Sequence, residues 1–174
     1  MIERATYSTT EGVDFKSFGE SLTDSQIAKV ISEIENTGSC PVTTSQKTTP
    51  VLGITGTGGA GKSSLIDEVL LRFNRYYKDA RIALVSVDPT KKKTQGALLG
   101  DRIRLGSASY SQFFVRSLAT RDSKTELSPQ IKQVVSFLKD QDFSLVIVET
   151  SGIGQASDEI TQIADKCIYV MTPE

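Results

Sequence analysis

The residues with the clearest chemistry lie in one short segment, residues 51–64, with the sequence VLGITGTGGAGKSS. Its part from Gly56 to Ser63 matches G-x-x-x-x-G-K-[ST], the phosphate-binding loop of nucleoside triphosphatases. The same glycines, with Gly58 between them, also match the looser G-x-G-x-x-G pattern of dinucleotide-binding loops. Both patterns follow a strand, open a helix and bind phosphate through backbone N–H groups. The segment therefore predicts a phosphate site of one of these two kinds.

The lysine and serine favour the triphosphatase alternative. A dinucleotide loop has no chemical use for Lys62 and Ser63 at the first turn of its helix, whereas in a triphosphate site the lysine reaches β- and γ-phosphate oxygens and the serine ligates Mg²⁺. The acid that ends the next strand, Asp88, also lies further along than the roughly 20 residues expected of a dinucleotide fold. We predict that the nucleotide-binding residues here are Gly56, Thr57, Gly58, Gly59, Ala60, Gly61, Lys62, Ser63 and Ser64.

Three acidic residues are candidates for the magnesium site that a triphosphate requires. Asp88 ends a predicted strand in VDPT, Glu149 ends a later one in VET, and Asp101 lies between strands in LLGDRIR. Ligands gather at the carboxyl ends of strands in open α/β sheets, so we predict that these carboxylates and Ser63 surround Mg²⁺. Because Mg²⁺ keeps several waters, at least one carboxylate should act through water. The alternative for each acid is a helix cap or a solvated charge.

The segment ETSGIGQ, residues 149–155, has the composition of a switch that responds to the terminal phosphate. Gly152 offers a backbone N–H to the γ-phosphate, and loss of that phosphate would release the segment. Gln155 is a candidate for orienting the attacking water, with Lys62 supplying charge stabilisation, so these two residues are the predicted catalytic pair. A plain strand-to-helix turn is the alternative.

Composition excludes several other kinds of chemistry. The chain of 174 residues has no histidine, which excludes a Ser-His-Asp triad and a His-ligated zinc site within it. Its net charge of −1 creates no general attraction to nucleic acid or an anionic membrane, and we expect neither as a partner. With no secretory leader or spanning segment, a cytoplasmic location is expected. Of the two cysteines, Cys167 lies in the apolar run CIYVM and is predicted to be a core residue.

These residues must be positioned by a particular succession of elements. A capping box at Thr23 and Gln26 begins a helix that Gly38 ends, and a polar linker follows at 39–50. Apolar strands then alternate with amphipathic helices, which predicts an α/β P-loop NTPase with a mainly parallel sheet covered by helices on both faces. We predict an N-terminal arm, helix and linker at 1–48 and a P-loop domain at 49–174. Strands are expected at 51–56, 81–88, 113–118, 144–150 and 166–171, and helices at 62–77, from Pro129 to Leu138, and around 157–165.

Five motifs in order, GITGTGGAGKSS, VDPT, GALLGDRIR, RSLATR and VETSGIGQ, resemble the G-protein chaperones of methylmalonyl-CoA mutase, and most of all the form fused to isobutyryl-CoA mutase. The resemblance implies a GTP-binding and GTP-hydrolysing domain, with GTP or GDP and Mg²⁺ as ligands, that gates the loading or protection of adenosylcobalamin. That cofactor would sit on the partner acyl-CoA mutase domains, present in cis or in trans, and not on this chain. The segment around Asp101 would be switch I and 149–155 switch II.

One departure from this family concerns the base. A G protein recognises guanine with an N-K-x-D motif, and the chain reaches Glu174 without one. The preference for guanine over adenine therefore stays open, and we expect a sheet that is incomplete on its carboxyl-terminal side, whose free edge would favour a homodimer. A phosphate- or partner-binding module without turnover is the alternative function, and a small-molecule kinase is a third.

Overall fold

The computed structural model describes residues 10, 12–18, 21–42, 48–88, 110–119, 127, 129–150 and 159–172, with only the backbone at positions 88 and 119. A 3₁₀ turn at Phe15–Ser17 precedes the main elements. The helices are α1 (Asp24–Thr37), α2 (Lys62–Tyr76) and α3 (Pro129–Lys139), and the strands are β1 (Val51–Gly56), β2 (Ile82–Asp88), β3 (Phe113–Ala119), β4 (Leu145–Thr150) and β5 (Lys166–Val170). None of the helices in these ranges is long and apolar enough to cross a membrane.

The strands form one sheet in the order β3-β2-β4-β1-β5, and every described pairing is parallel. The alternation of strands with helices explains this arrangement, because a parallel pair needs a crossover connection that a helix supplies. The carboxyl ends of all the strands therefore lie at the same end of the sheet. The predicted α/β fold with a parallel sheet is confirmed.

Helices cover both faces of the sheet, as predicted. Helix α2 packs Ile66 and Leu70 on one face, against strand residues such as Leu84 and Ile147. Helices α1 and α3 pack on the opposite face, where α1 contributes Ile27, Val30, Ile31 and Ile34 and α3 contributes Ile131, Val134, Val135, Phe137 and Leu138. Odd and even positions of a strand alternate between these two cores, since successive side chains point to opposite faces.

Helix α1 begins and ends where the sequence predicts. The Gln26 amide donates to Thr23 Oγ1 while the Gln26 side chain accepts from the Thr23 amide, which completes the capping box. Gly38 ends the helix with φ of 75°, a left-handed conformation that glycine adopts without strain. Two ion pairs, Arg81 with Asp24 and Arg116 with Glu35, join the helix to the sheet. The proposed division of the chain at residue 48 stays a prediction.

The last strand, β5, differs from the prediction in its burial. Cys167, expected in the core, is exposed, and so are its neighbours Ile168 and Tyr169. The prediction was wrong because an apolar run such as CIYVM indicates a strand but not its place in the sheet. Strand β5 lies at the edge of the sheet, where among the described strands it pairs only with β1.

Candidate phosphate-binding site

The loop between β1 and α2 lies at the carboxyl end of the sheet. Most of its residues are exposed, and the Ala60 amide donates to the Thr57 carbonyl at 3.2 Å to close a tight turn. Helix α2 begins directly after Gly61, which offers no side chain to cap it. The amides of a first helical turn have no intrahelical partner, and together with the helix dipole they favour an anion. The loop is therefore open to a phosphate group.

Two glycines show why the loop suits a triphosphate better than a dinucleotide. Gly56 has φ of 143°, and a Cβ there would lie 1.9 Å from the carbonyl oxygen of Val170, so only glycine fits beside β5. Gly61 has φ of 90°, yet a Cβ there would meet no atom within 4 Å. In a dinucleotide loop the last glycine permits close packing of helix on strand. That packing is absent at Gly61, where the conformation rather than the space requires glycine.

The side chain of Lys62 folds back toward the end of β1 and the start of the loop. Its ammonium donates to the carbonyl oxygens of Gly56, at 2.7 Å, and of Thr57, at 2.9 Å, and the side chain is buried. A buried charge is costly unless hydrogen-bonded, and the two carbonyls meet that requirement while holding the positive charge beneath the loop. The cation and the first-turn amides thus lie on one short segment, where both attract negative charge.

Glu149 links the helix to the sheet. Its Oε1 accepts a hydrogen bond from Ser63 Oγ at 3.1 Å, and its Oε2 accepts one from Ser86 Oγ at 3.2 Å. Ser63 and Glu149 were predicted to share a metal site, and the fold brings them into contact although they are far apart in sequence. Neighbouring ligands of an octahedral Mg²⁺ lie about 3 Å apart, given metal–oxygen distances of about 2.1 Å. The oxygen atoms of this pair therefore fit Mg²⁺ in both chemistry and spacing.

The other predicted site residues are placed only in part. The backbone of Asp88 follows Val87, which pairs with Thr150, so Asp88 ends its strand at the same edge as Glu149. Asp101, Gly152 and Gln155 lie outside the described residues. Within the described ranges, no three acidic or cysteine side chains come together as a metal site. The roles of Asp101 as a metal ligand, of Gly152 as a γ-phosphate contact and of Gln155 as a water-orienting residue stay predictions.

A pair of buried threonine hydroxyls lies next to the site, on the opposite face of the sheet. Thr150 Oγ1 donates to Thr55 Oγ1 at 2.9 Å, and both side chains are buried. Thr55 precedes the last residue of β1, and Thr150 follows Glu149, so this bond joins the strand entering the loop to the strand leading into segment 149–155. The two strand ends are thereby held together on the face opposite α2.

Sequence reasoning missed Ser86, Thr55 and Thr150. A signal was available for Ser86, because it is the one hydroxyl within the otherwise apolar run IALVSV. For the two threonines no signal was available, since β-branched threonine is common in strands for packing reasons alone. Their pairing becomes visible only when β1 and β4 lie side by side.

Comparison with known proteins gives a consistent result. Residues 41–174 match the family model described as "Methylmalonyl Co-A mutase-associated GTPase MeaB". The chain is 59% identical over 129 residues to a fused isobutyryl-CoA mutase of Geobacillus kaustophilus, a match that covers 74% of the chain and 12% of that protein. A fused isobutyryl-CoA mutase of Cupriavidus metallidurans is 54% identical over 72% of the chain and 12% of its own length.

A further relative is much shorter. A putative GTPase of Pyrococcus horikoshii is 36% identical over 154 residues, which cover 84% of the chain and 48% of that protein. The chain thus spans about half of this relative and about an eighth of the fused mutases that it matches.

Proposed function

This chain belongs to the methylmalonyl Co-A mutase-associated GTPase MeaB family, and on that premise we propose that it binds and hydrolyses GTP with Mg²⁺ to regulate an acyl-CoA mutase. The observation that carries the proposal is the arrangement of Lys62 and Ser63 at the start of α2. Lys62 holds its charge beneath the loop, and the next residue contacts a carboxylate from β4.

Phosphate binding rests on the loop and its lysine. The backbone amides of the loop and of the first turn of α2, residues 56–64, would bind the phosphate oxygens, as in the sequence prediction. Lys62 would exchange a carbonyl contact for the β- and γ-phosphates, which a flexible ammonium can do with little rearrangement. Positioned positive charge is the main catalytic contribution in phosphoryl transfer, so Lys62 is proposed as catalytic as well as binding.

Metal binding rests on Ser63 and Glu149, with Asp88 and Asp101 proposed to complete the site. Bound Mg²⁺ would neutralise charge that develops on the phosphate oxygens. Ser63 and Glu149 would hold it through the oxygen atoms that now contact each other. The buried Thr55–Thr150 bond would keep β4 at a constant distance from the loop, so that Glu149 and Ser63 stay close enough to bind the same ion.

Turnover would depend on segment 149–155. We propose that Gly152 contacts the γ-phosphate and that Gln155 orients water. The segment begins at Glu149, so a change in the metal site would reach it directly. Loss of the phosphate would then release the segment and alter the surface that a partner meets.

The partner is proposed from the relatives. Two of them are named as fused isobutyryl-CoA mutases, in which a stretch resembling this chain belongs to a much longer protein. We propose that this chain acts on acyl-CoA mutase domains, in cis or in trans, and gates adenosylcobalamin held there rather than on this chain. A cytoplasmic location and a homodimer through the β5 edge belong to the same proposal.

The first experiment is a titration with fluorescent GTP, ATP and GDP, each with and without Mg²⁺. We expect magnesium-dependent binding of GTP. Lys62→Ala should weaken it by roughly 100-fold, because hydrogen bonds from a charged donor to phosphate are lost. The matched control is Lys78→Ala, which removes an exposed lysine just after the far end of α2 and should leave affinity unchanged.

Each outcome of the titration has a definite meaning. Equal affinity for GTP and ATP would support the phosphate site and contradict guanine selectivity in this chain. Absence of binding, or unchanged affinity in Lys62→Ala, would overturn the proposal in favour of a partner-binding module without turnover. Binding without phosphate release in a hydrolysis assay would contradict the catalytic part alone.

The regulatory part has its own test. Adenosylcobalamin transfer into an acyl-CoA mutase, followed by the cofactor's absorbance, should depend on whether GTP or a non-hydrolysable analogue is bound to the chain. Transfer that is identical with GTP, with the analogue and without nucleotide would contradict gating.

A further inference from the structure

We propose that Ser86 is a positioning residue for magnesium: its hydroxyl orients the carboxylate of Glu149 so that one oxygen faces Ser63 and the metal. The inference rests on the proposed function of the site and adds a residue that neither the loop motif nor the predicted ligand set contains. It is carried by the register of β2 and β4 and by the division of hydrogen bonds on one carboxylate.

The sheet itself places Ser86 beside Glu149. The two residues are register partners in the parallel pairing of β2 with β4. Leu84 and Ile147, two positions earlier on each strand, both lie in the core under α2, so Ser86 and Glu149 share that face. Both residues lie within strands rather than loops, and a short serine side chain reaches only a near neighbour. Their contact is therefore set by backbone pairing and does not depend on a mobile segment.

The two carboxylate oxygens of Glu149 have different partners. Oε2 accepts from Ser86 at 3.2 Å, and Oε1 accepts from Ser63 at 3.1 Å. The terminal torsion of a glutamate is broad, so a single hydrogen bond leaves the carboxylate plane poorly defined. A second hydrogen bond to the other oxygen restricts that plane. Ser86 thereby helps to hold Oε1 near Ser63 Oγ, at a separation that suits neighbouring Mg²⁺ ligands.

A neutral donor suits this position better than a cation would. A hydroxyl fixes the orientation of the carboxylate while leaving its negative charge for the metal, whereas a lysine or arginine would offset that charge. Hydrogen-bonding partners of metal ligands commonly contribute 10- to 100-fold to metal affinity. Because Ser63 is exposed and the site is open to water, we expect an effect of about tenfold, at the lower end of that range.

The test compares Ser86→Ala with Ser86→Thr and with Ser32→Ala. Ser32 is a matched control, since it is also a half-buried serine that contacts a charged side chain, the guanidinium of Arg116, but on the opposite face of the sheet. Fluorescent GTP binding is titrated with Mg²⁺ for each variant and repeated in EDTA, and bound Mn²⁺ is examined by electron paramagnetic resonance. Thermal unfolding checks that each variant is folded.

We expect Ser86→Ala to raise about tenfold the Mg²⁺ concentration at which GTP binding is half-maximal. The electron paramagnetic resonance spectrum of bound Mn²⁺ should change, while nucleotide affinity in EDTA should not. Ser86→Thr, which keeps the hydroxyl, should give the same Mg²⁺ titration and the same Mn²⁺ spectrum as the unsubstituted chain. A merely structural role of Ser86 would lower thermal stability without moving the Mn²⁺ spectrum.

Two results overturn the inference while the proposed function stands: an unchanged Mg²⁺ titration in Ser86→Ala when Glu149→Ala shifts it, or an equal shift in Ser32→Ala. If the unsubstituted chain shows no magnesium-dependent nucleotide binding, the proposed function fails and the inference fails with it. These outcomes are distinguishable within one set of titrations.

Discussion

The two ends of the parallel sheet use polar side chains in opposite ways. At the carboxyl end, side chains bond to side chains: Ser63 and Ser86 each donate a hydrogen bond to the carboxylate of Glu149. At the amino end, side chains bond to backbone: Asp165 accepts from the Val51 amide at 2.7 Å, and Thr49 donates to the Phe143 carbonyl at 3.1 Å. The amino-end contacts hold backbone groups at the ends of buried strands, so their loss would cost stability, whereas the contact between Ser63 and Glu149 can be exchanged for a ligand.

Charged residues at the two ends differ in what they connect. At the amino end, Arg81 lies over the Phe143 ring, 4.8 Å from its centroid, and pairs with Asp24 of α1. It thereby joins a helix to the strand ends. At the carboxyl end, Lys62 bonds, among the contacts described, only to the carbonyls of Gly56 and Thr57, within the short segment that joins β1 to α2. The comparison predicts that amino-end substitutions change stability and carboxyl-end substitutions change ligand binding.

The largest expected effect comes from an exception to this division. Gly56→Ala at the carboxyl end should lower the free energy of unfolding by at least about 3 kcal/mol, because a Cβ would overlap the Val170 carbonyl and the residue has a positive φ. Denaturant unfolding measures this. Gly58→Ala is the control, since a Cβ there meets no atom within 4 Å, and it should be close to neutral for stability. Equal losses in both variants would contradict the close approach of β1 to β5.

An intermediate effect is expected at the amino end. Asp165→Ala removes the acceptor for the Val51 amide and should cost about 1–3 kcal/mol of unfolding free energy, while nucleotide affinity stays unchanged. Asp165→Asn keeps an acceptor oxygen and should retain most of the stability. A fall in nucleotide affinity in Asp165→Ala at temperatures where the protein is folded would break the proposed separation of the two ends.

The smallest expected effect is a second exception at the carboxyl end and concerns the buried hydroxyl pair. Thr150→Val should destabilise by about 1 kcal/mol, since it leaves Thr55 without this partner. The double variant Thr55→Val/Thr150→Val should recover part of that loss, because no polar group of the pair is then left buried. A double-mutant cycle with no coupling would show that the two hydroxyls do not act together.

The elements themselves were largely predictable. The helix caps at Thr23 and Gly38, the strands of the central sheet and the start of α2 all follow from local chemistry and hydrophobic period, which nearby residues determine. The exposure of β5 was not predictable in this way. An apolar strand at an edge has the same sequence pattern as one in the interior, and only the strand order distinguishes them.

The candidate site divides similarly. The loop motif predicts Lys62 and Ser63 as site residues, and the acids at strand ends predict Glu149 as a metal ligand. That Lys62 bonds to the carbonyls of Gly56 and Thr57 was not predictable, because the contact depends on the path of the loop. Ser86 was overlooked since its role depends on a strand that is adjacent in space but distant in sequence.

By itself, the sequence determined the α/β succession, and it predicts the phosphate-binding loop and the side chains for a triphosphate with magnesium, because these follow from residue type at fixed local spacing. Tertiary structure alone decided which distant groups meet: the side chain of Glu149 with those of Ser63 and Ser86, that of Thr150 with that of Thr55, and the backbone of Val170 with that of Gly56. The physical reason is that parallel strands pair across long crossover connections, so their register is set by the packing of the whole sheet and not by any local segment.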